Sequence, residues 1–381
     1  MEVKQINSIA EVDSLSWNKL AGSAYPFLRH EFLCALEESG AVSERSGWNP
    51  QHLLVMEGNE LLAFMPLYLK QHSRGEYVFD HQWAQAYQQT GGHYYPKWLT
   101  AIPFTPCQGP RIVIKETLNL HRVTELLLAF IKNKSEELSI SSWHCLFPES
   151  HQIDQFRTLG LGIREGVQFQ WFNKGYPDFE AYLQSLSSSK RKMIRRERRK
   201  VTEQNITLQQ IPGYQVTAAQ WQVFYQFYTM TYLKHGMQPY LRLAFFLACA
   251  ETMGDQLLLV LASKDRQYVG AALSFIGSDT LFGRYWGCHE EYAFLHFEAC
   301  YYQGLDFCLV HGFQRFDSGA QGEHKIARGF EPITTYSAHW IKDPQFAKAI
   351  EQFLIREQKA VEFYKQDAAA YLPFKNTVDP Q

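Results

Sequence analysis

The fold of this chain is decided by the stretch Arg315-Phe316-Asp317-Ser318-Gly319-Ala320-Gln321-Gly322-Glu323-His324-Lys325-Ile326-Ala327-Arg328-Gly329-Phe330. Its first residues predict the end of a buried strand, after which three glycines are interspersed with acidic, imidazole, ammonium and guanidinium groups. Glycine marks backbone that takes unusual dihedrals or approaches a ligand closely. A loop of this composition at the carboxyl end of a strand is where α/β folds place chemistry. We therefore predict an active site here; the alternative is a polar turn whose charges pair with one another.

Five residues of this loop receive predicted roles. Glu323 or His324 is the expected general base, because either type can be tuned toward neutral pH by burial. Lys325 and Arg328 are expected to hold a phosphate or an oxyanion, which arginine can do with two parallel hydrogen bonds. Gln321 completes the predicted substrate-binding residues of the loop.

A second strand, ending near Trp286, precedes a Gly-bearing turn and a helix. Because this strand and the one ending at Asp317 would deliver polar residues to the same sheet edge, four more substrate-binding residues are predicted: Arg284, Tyr285, His296 and Glu298. His296 and Glu298 are two positions apart and do not share a helical face, and there is no HExxH motif. No metal site is therefore predicted.

Composition and length limit the class of protein. A chain of 381 residues suggests two domains or one large one, and 46% apolar with 15% aromatic residues excludes a disordered or fibrous chain. Seven scattered cysteines without a CxxC pair favour a reducing compartment. The sequence shows no signal-peptide layout and no apolar run of about 18 residues, so we expect a cytoplasmic protein without a transmembrane segment.

The order helix, hairpin, further strand, helix, strand occurs twice, about 200 residues apart. This self-similarity predicts a duplicated α/β (α+β) domain, with an N-terminal lobe at 1–165 and a C-terminal lobe at 166–381. The alternative is a chance similarity between two helix–hairpin units. The matching segments are 26–40, 51–69, 98–104, 118–138 and 142–147 in the first copy, and 239–254, 256–276, 281–288, 295–310 and 313–317 in the second.

Two loops of the first lobe, 91–97 and 103–111, are rich in turn formers and aromatic residues. Such loops could line a groove, so Tyr95, Lys97 and Arg111 are added to the predicted substrate-binding residues. The alternative is a pair of rigid connectors with tyrosine rings packed on the core.

A basic run lies at Lys190–Lys200, which has eight basic residues and one acid, a charge of +7, and leaves −9 for the rest of a chain whose net charge is −2. Serines ahead of it can cap a helix, predicted near 187–203. Like-charged neighbours one helical turn apart cost about 0.2–0.5 kcal/mol per pair, so an anionic partner is expected. Phosphate-bearing ligands and RNA are candidates, as are the protein's own acids or simple solvation. The predicted polyanion-binding residues are Arg191, Arg195, Arg196, Arg198 and Arg199.

The sequence lacks a Walker loop, a GxSxG elbow and a GxGxxG after a strand. Nucleotide hydrolysis, serine hydrolysis and dinucleotide redox chemistry are therefore disfavoured.

Several long motifs together resemble one bacterial family, the predicted N-acyltransferases labelled peptidoglycan biosynthesis/recognition and related to the FemAB aminoacyltransferases. The motifs span nearly the whole chain: Tyr94-Tyr95-Pro96-Lys97, Pro103-Phe104-Thr105-Pro106 with Gly109-Pro110-Arg111, Arg191-Lys192 with Arg195-Arg196-Glu197-Arg198, Gly283-Arg284-Tyr285-Trp286-Gly287, Leu295-His296-Phe297-Glu298-Ala299-Cys300-Tyr301-Tyr302, and Gly319-Ala320-Gln321-Gly322-Glu323-His324-Lys325 with Arg328-Gly329-Phe330.

The resemblance implies two tandem GNAT-like (acyl-CoA N-acyltransferase-like) lobes, each a mixed sheet flanked by helices. It also implies an acyl or aminoacyl donor, either acyl-CoA or aminoacyl-tRNA, and an amine acceptor such as a phosphorylated cell-wall precursor. No other cofactor is implied. Lys325 and Arg328 occupy the place where FemAB relatives bind the diphosphate.

Two departures from related patterns bear on the donor. The Q/RxxGxG/A pyrophosphate loop of simple GNAT enzymes is absent between Trp286 and Leu295. The long helical arm found in FemAB proteins with tRNA donors has only the basic run as a counterpart.

The function that these observations favour is an enzyme, an N-acyltransferase that moves an acyl or aminoacyl group to an amine. Two alternatives stay open: a non-catalytic recognition module for phosphorylated glycan or RNA, and a simple acetyl-CoA-dependent N-acetyltransferase.

Overall fold

The computed structural model describes residues 1–320 and 322–375, so the predicted residue Gln321 lies outside the described residues. The chain forms two compact units. The N-terminal unit comprises residues 1–167 and 334–363, and the C-terminal unit comprises 168–333 and, of the described residues, 364–375. The sequence-based division assigned 334–363 to the C-terminal lobe. In the structure this segment packs with the N-terminal unit, because its strand pairs with Ser142–Leu146 there.

The regular elements of the first 172 residues match the predicted hairpin, the long helix and the strand after it. In chain order they are β1 (Glu2–Ile6), α1 (Ser14–Ala21), α2 (His30–Glu38), β2 (Trp48–Pro50), β3 (His52–Glu57), β4 (Glu60–Met65), β5 (Tyr68–Lys70), α3 (His81–Gln89), β6 (Lys97–Thr100), β7 (Val113–Ile114), α4 (Leu120–Glu137), β8 (Ser142–Leu146), α5 (Ser150–Thr158) and β9 (Gly162–Phe172).

The remaining elements include the predicted basic helix and both strands of the second hairpin. In chain order they are α6 (Phe179–Ser185), α7 (Ser188–Glu203), β10 (Ile206–Pro212), α8 (Ala218–Lys234), α9 (Leu243–Met253), β11 (Leu257–Lys264), β12 (Gln267–Ile276), β13 (Thr280–Cys288), α10 (Leu295–Phe297), α11 (Gln303–His311), β14 (Arg315–Asp317), β15 (Glu331–Ile341) and α12 (Pro344–Ala370).

The N-terminal unit contains two groups of strands. One is an antiparallel sheet of order β1-β3-β4-β7, and the other runs from the first half of β9 through β15, β8, β6 and β5 to β2. In the second group β6 and β8 are parallel, with Trp98 opposite Trp143. Helix α4 buries Val123, Leu127 and Ile131, spaced one turn apart, against the core of these strands.

The C-terminal unit is built on the strand order β10-β11-β12-β13-β14, followed by the second half of β9. Strands β10 to β13 are antiparallel, whereas β13 and β14 are parallel and pair only from Thr280–Phe282 to Arg315–Asp317. A bulge lies at Arg284, because Leu273 is opposite Tyr285 while Ser274 is opposite Gly283. A bulge re-aims a side chain and bends its strand. The short parallel pairing and the bulge together define the place where β13 and β14 separate, which is described below.

The part of the chain that the structure describes contains no helix that is both long and apolar enough to cross a membrane.

Candidate active site

A cavity of about 550 Å³ lies in the C-terminal unit where β13 and β14 part. Its wall begins at Gly283 on β13, directly after the last paired residue, and at Ser318, directly after the end of β14. Strand β12, the helix that starts at Leu295 and His235 at the end of α8 complete the wall. A volume of this size is typical of sites for small molecules. The predicted loop after the late strand therefore borders a concave site.

His324 lies in the wall of this cavity, on the short 3-10 helix Glu323–Arg328. Its Nε2 and the hydroxyl of Tyr301 are 2.7 Å apart, and its ring packs against Phe297 with centroids 5.5 Å apart. Burial, reinforced by the charges of Lys325 and Arg328, lowers the pKa of His324 below its usual value. His324 is therefore neutral at pH 7 and able to accept a proton.

The hydroxyl partner of His324 comes from an irregular part of the neighbouring helix. Between α10 and α11, residues Glu298–Tyr302 form a π-helical turn. Such turns insert one residue and occur often at functional sites; here Cys300 and Tyr301 both line the cavity. Burial raises the pKa of Tyr301 well above its usual range, so its hydroxyl is protonated. Tyr301 was not among the predicted site residues, because the π turn that aims it leaves no sequence pattern.

Two cationic side chains also line the cavity. Lys325 is 2% exposed, and its Nζ donates a 2.6 Å hydrogen bond to the carbonyl oxygen of Gly319. Arg284 projects from the bulged position of β13. The predicted residues Tyr285 and His296 are part of the same wall. The cavity therefore brings together Arg284, Tyr285, His296, His324 and Lys325.

Three predicted residues of the same region lie elsewhere. Glu323 is exposed and accepts a 2.9 Å hydrogen bond from Tyr364. Arg328 donates to both carboxylate oxygens of Glu197 at 2.7 Å, so its guanidinium is used in a buried ion pair. Glu298 is paired with Arg198 at 3.0 Å. None of the three is part of the cavity wall.

Four of the five predicted polyanion-binding residues of helix α7 contact side chains of the protein itself. Arg198 binds Glu298 and Asp306, with the shorter ion pair, to Asp306, at 2.6 Å. Arg195 pairs with Glu180 and Arg199 with Glu203, while Arg191 donates to the side chain of Gln184. Arg196 is exposed. Through Glu197, the helix holds Arg328 and with it the 3-10 helix that carries His324.

The three predicted residues of the first lobe have packing roles in the N-terminal unit. Arg111 is fully buried and donates to the carbonyl oxygens of residues 107, 109, 110 and 146. The Lys97 ammonium is equally buried and donates to Ser73 and Glu76, both at 2.8 Å, and to Asp80. The Tyr95 hydroxyl is 2.7 Å from Ser73 Oγ. All three side chains are thus held by contacts within the N-terminal unit.

The comparison of sequences identifies the family. The FemAB-like profile, described as peptidoglycan biosynthesis/recognition, matches residues 8–376. The chain belongs to the FemAB-like family. The predicted resemblance is thus confirmed, and among curated proteins none matches the sequence.

Several solved structures are similar in fold to this FemAB-like chain. FemX is 11% identical, with a TM-score of 0.54, and the match covers 91% of this chain and 100% of FemX. A second relative is the C-terminal DUF2156 domain of an Agrobacterium fabrum protein assigned as a lysylphosphatidylglycerol synthetase. It is 10% identical, with a TM-score of 0.56, and the match covers 90% of this chain and 96% of that domain. A Bacteroides thetaiotaomicron protein of unknown function is 10% identical, with a TM-score of 0.51, 90% of this chain and 100% of that chain covered. At these identities the likeness is one of fold, and it confirms the predicted mixed α/β class.

Proposed function

We propose that this FemAB-like protein is an N-acyltransferase whose active site is the cavity of the C-terminal unit. The observation that carries the proposal is His324, a neutral imidazole bonded to Tyr301 in the wall of a cavity that opens between two parting strands. The family, described as peptidoglycan biosynthesis/recognition, supports acyl or aminoacyl transfer in a process related to the cell wall.

The chemistry assigns a proton acceptor and an oxyanion partner. In this proposal His324 takes the tautomer in which Nε2–H donates to the Tyr301 hydroxyl and Nδ1 is left as the base. Nδ1 takes a proton from the acceptor amine as the nitrogen attacks the acyl carbonyl and the new N–C bond forms. The oxyanion of the tetrahedral intermediate is stabilised by the Lys325 ammonium. When the bond from the acyl carbon to its carrier breaks, the proton held by His324 passes to the leaving group.

The proposal also specifies the classes of acyl donor and amine acceptor. The acyl group arrives on CoA or on tRNA, and the acceptor is an amine of a cell-wall precursor, handled in the cytoplasm. Lys325 stabilises the oxyanion, and Arg284, Tyr285 and His296 contact the substrate. Arg328 and Glu298 lie outside the cavity wall and stabilise the site through their ion pairs with Glu197 and Arg198.

A matched pair of variants tests the proposal. His324→Gln removes the base, and Glu323→Gln changes its exposed neighbour, which is bonded to Tyr364. With acyl donors and amine acceptors supplied, and N-acylated product detected by mass spectrometry, we expect His324→Gln to reduce kcat by about 10²–10⁴-fold. Ligand-induced thermal shifts should persist in both variants, and Glu323→Gln should turn over as the wild type does.

Two results would contradict this proposal. Unchanged turnover in His324→Gln would remove the imidazole from the mechanism. Binding of cell-wall precursors with no product under any donor would favour the alternative of a recognition module.

A further inference from the structure

One polar side chain interrupts the buried part of strand β12. Residues 269–275 are all buried, and Ser274, which is 8% exposed, is the only one among them with a polar side chain. Serine is mostly exposed in folded proteins, and a residue that disagrees with its local surroundings is found most often at a functional site. Packing alone therefore does not account for Ser274.

Ser274 belongs to the wall of the cavity. It shares a face of β12 with Ala272, which packs against Ala299 in the π-helical turn that carries Tyr301. Within the described part of the chain, no group forms a hydrogen bond with the Ser274 hydroxyl. A ligand in the cavity therefore meets a hydroxyl that can both donate and accept.

A row of three residues crosses the sheet where β13 and β14 part. Ser274 is opposite Gly283 on β13, and a Cβ added to Gly283 would lie 3.5 Å from Cα of Ser318, the residue after β14. The hydroxyl of Ser318 is enclosed by protein atoms, so Ser274 is the hydroxyl of this row that a ligand contacts. Gly319, which follows Ser318, accepts the 2.6 Å hydrogen bond of Lys325. The row thus runs from Ser274 to the residue that we propose for the oxyanion.

The length of the row suits a short acyl chain. Neighbouring strands are about 4.8 Å apart, so two strand spacings separate Ser274 from Ser318 by about 10 Å. A short chain with a hydrogen bond at each end spans that distance. With its carbonyl oxygen at Lys325, an acyl group therefore reaches Ser274 with its far part.

The chemistry of that far part affects binding. A ligand that displaces water from a buried hydroxyl without replacing its hydrogen bond loses affinity. A methylene placed against Ser274 has this effect, whereas a hydroxyl or an amine restores the bond, since serine pairs with either.

We propose that Ser274 selects the transferred group, and that this group carries a hydroxyl or an amine that bonds to the Ser274 hydroxyl. This inference rests on the proposed acyl transfer and narrows its donor. Hydroxyacyl and aminoacyl groups fit the row, whereas plain alkyl acyl groups leave Ser274 unpaired. Ser274 is thus a specificity-determining residue and takes no part in the proton transfers.

Small probes of equal chain length test the selection without any carrier. They are the N-methylamide of butyric acid and the derivatives of it that bear one hydroxyl or one amine, placed in turn on each carbon beyond the carbonyl. We expect at least one substituted probe to bind the wild type about three- to tenfold more tightly than the butyric probe, as measured by calorimetry or ligand-detected NMR. The substituted carbon locates Ser274 along the chain, and the comparison of hydroxyl with amine identifies the class of acyl group.

Two serine variants assign the effect to a residue. Ser274→Ala removes the hydroxyl with little change in volume, so the favoured probe should bind it no more tightly than the butyric probe does. Ser278→Ala is the matched control, because Ser278 is an exposed serine between β12 and β13 and is not part of the cavity wall. It should keep the wild-type preference.

The outcomes distinguish this inference from the function on which it rests. Equal binding of all probes to the wild type, or preference for the butyric probe, overturns the inference even when His324-dependent transfer is observed. A preference that persists undiminished in Ser274→Ala also overturns it and assigns the polar contact to another group of the wall. Failure of every donor to give product overturns the proposed function itself.

Discussion

The His324 ring depends on the residue two positions before it. Gly322 has a φ of +107°, a conformation that side-chain-bearing residues rarely adopt. A Cβ added there would lie 2.5 Å from Cε1 of His324. The glycine that the sequence marked as a turn former therefore also provides the space in which the imidazole lies beside Tyr301.

Gly322→Ala is expected to displace the His324 ring and lower kcat by more than tenfold. Gly312→Ala is the matched control, because Gly312 also has a positive φ, +72°, but has nothing within 4 Å of an added Cβ. Each change should reduce the free energy of unfolding by about 1–2 kcal/mol through backbone strain. Steady-state kinetics measures kcat, and denaturant unfolding measures the stability. The account would be contradicted if both variants lost stability alike but kept full activity.

Strands β8 and β15 of the N-terminal unit place two buried histidines next to each other. His144 Nδ1 and His339 Nδ1 are 2.6 Å apart, and Tyr94 Oη lies 3.1 Å from Nε2 of His144. Tyr94 donates its only proton to Asp80, an ionised carboxylate whose pKa the Lys97 ammonium holds far below its usual range against the effect of burial. Two hydroxyl oxygens thus contact Nε2 of His144, that of Tyr94 and, at 2.8 Å, that of Ser142.

This arrangement satisfies both imidazoles in their neutral form. Burial lowers the pKa of His144 to about 3, and burial together with His144 lowers that of His339 well below 6.5. Below pH 6.5 the unfolded chain therefore takes up protons that the folded chain does not. Stability present above that pH is lost as the pH falls toward the folded pKa values.

We expect the free energy of unfolding to decrease between pH 6.5 and 4.5 by up to about 1.4 kcal/mol per pH unit for each of the two histidines. Urea unfolding at a series of pH values measures this slope. The double variant His144→Gln/His339→Gln should show a flatter dependence, while His151→Gln, at an exposed position, should keep the wild-type slope. A stability that rises on acidification, or an unchanged slope in the double variant, would contradict the account.

At the scale of the whole molecule, local patterns predicted much of what the structure contains. The hairpin strands, helices α4 and α7 and the loop after β14 were all predicted, although the serine expected to cap α7, Ser187, makes no side-chain cap hydrogen bond. Pairings distant in sequence were not predictable. From the sequence alone, Arg328 was predicted to bind an anion. In the structure its guanidinium is paired with Glu197, 131 positions away.

The same limit explains the other differences. The assignment of 334–363 to the N-terminal unit depends on β15 pairing with β8, a register that no local pattern encodes. Glu323 and His324 are adjacent and both exposed, but only His324 lines the cavity, whereas Glu323 accepts a hydrogen bond from Tyr364, 41 positions away. Residue types thus predicted the loop, and tertiary contacts decided which of its side chains face the cavity.

The pH dependence of acyl transfer tests most directly the claim that His324 is the base of an active site in the C-terminal unit. Because both the acceptor amine and His324 must be unprotonated, log(kcat/KM) for the wild type should rise with pH with a slope of about two below the lowered pKa of His324, and of about one above it. In His324→Gln the slope should be about one throughout the range in which the protein stays folded. A wild-type profile with a single slope of one, or an acid limb of slope two that survives in His324→Gln, would contradict the account.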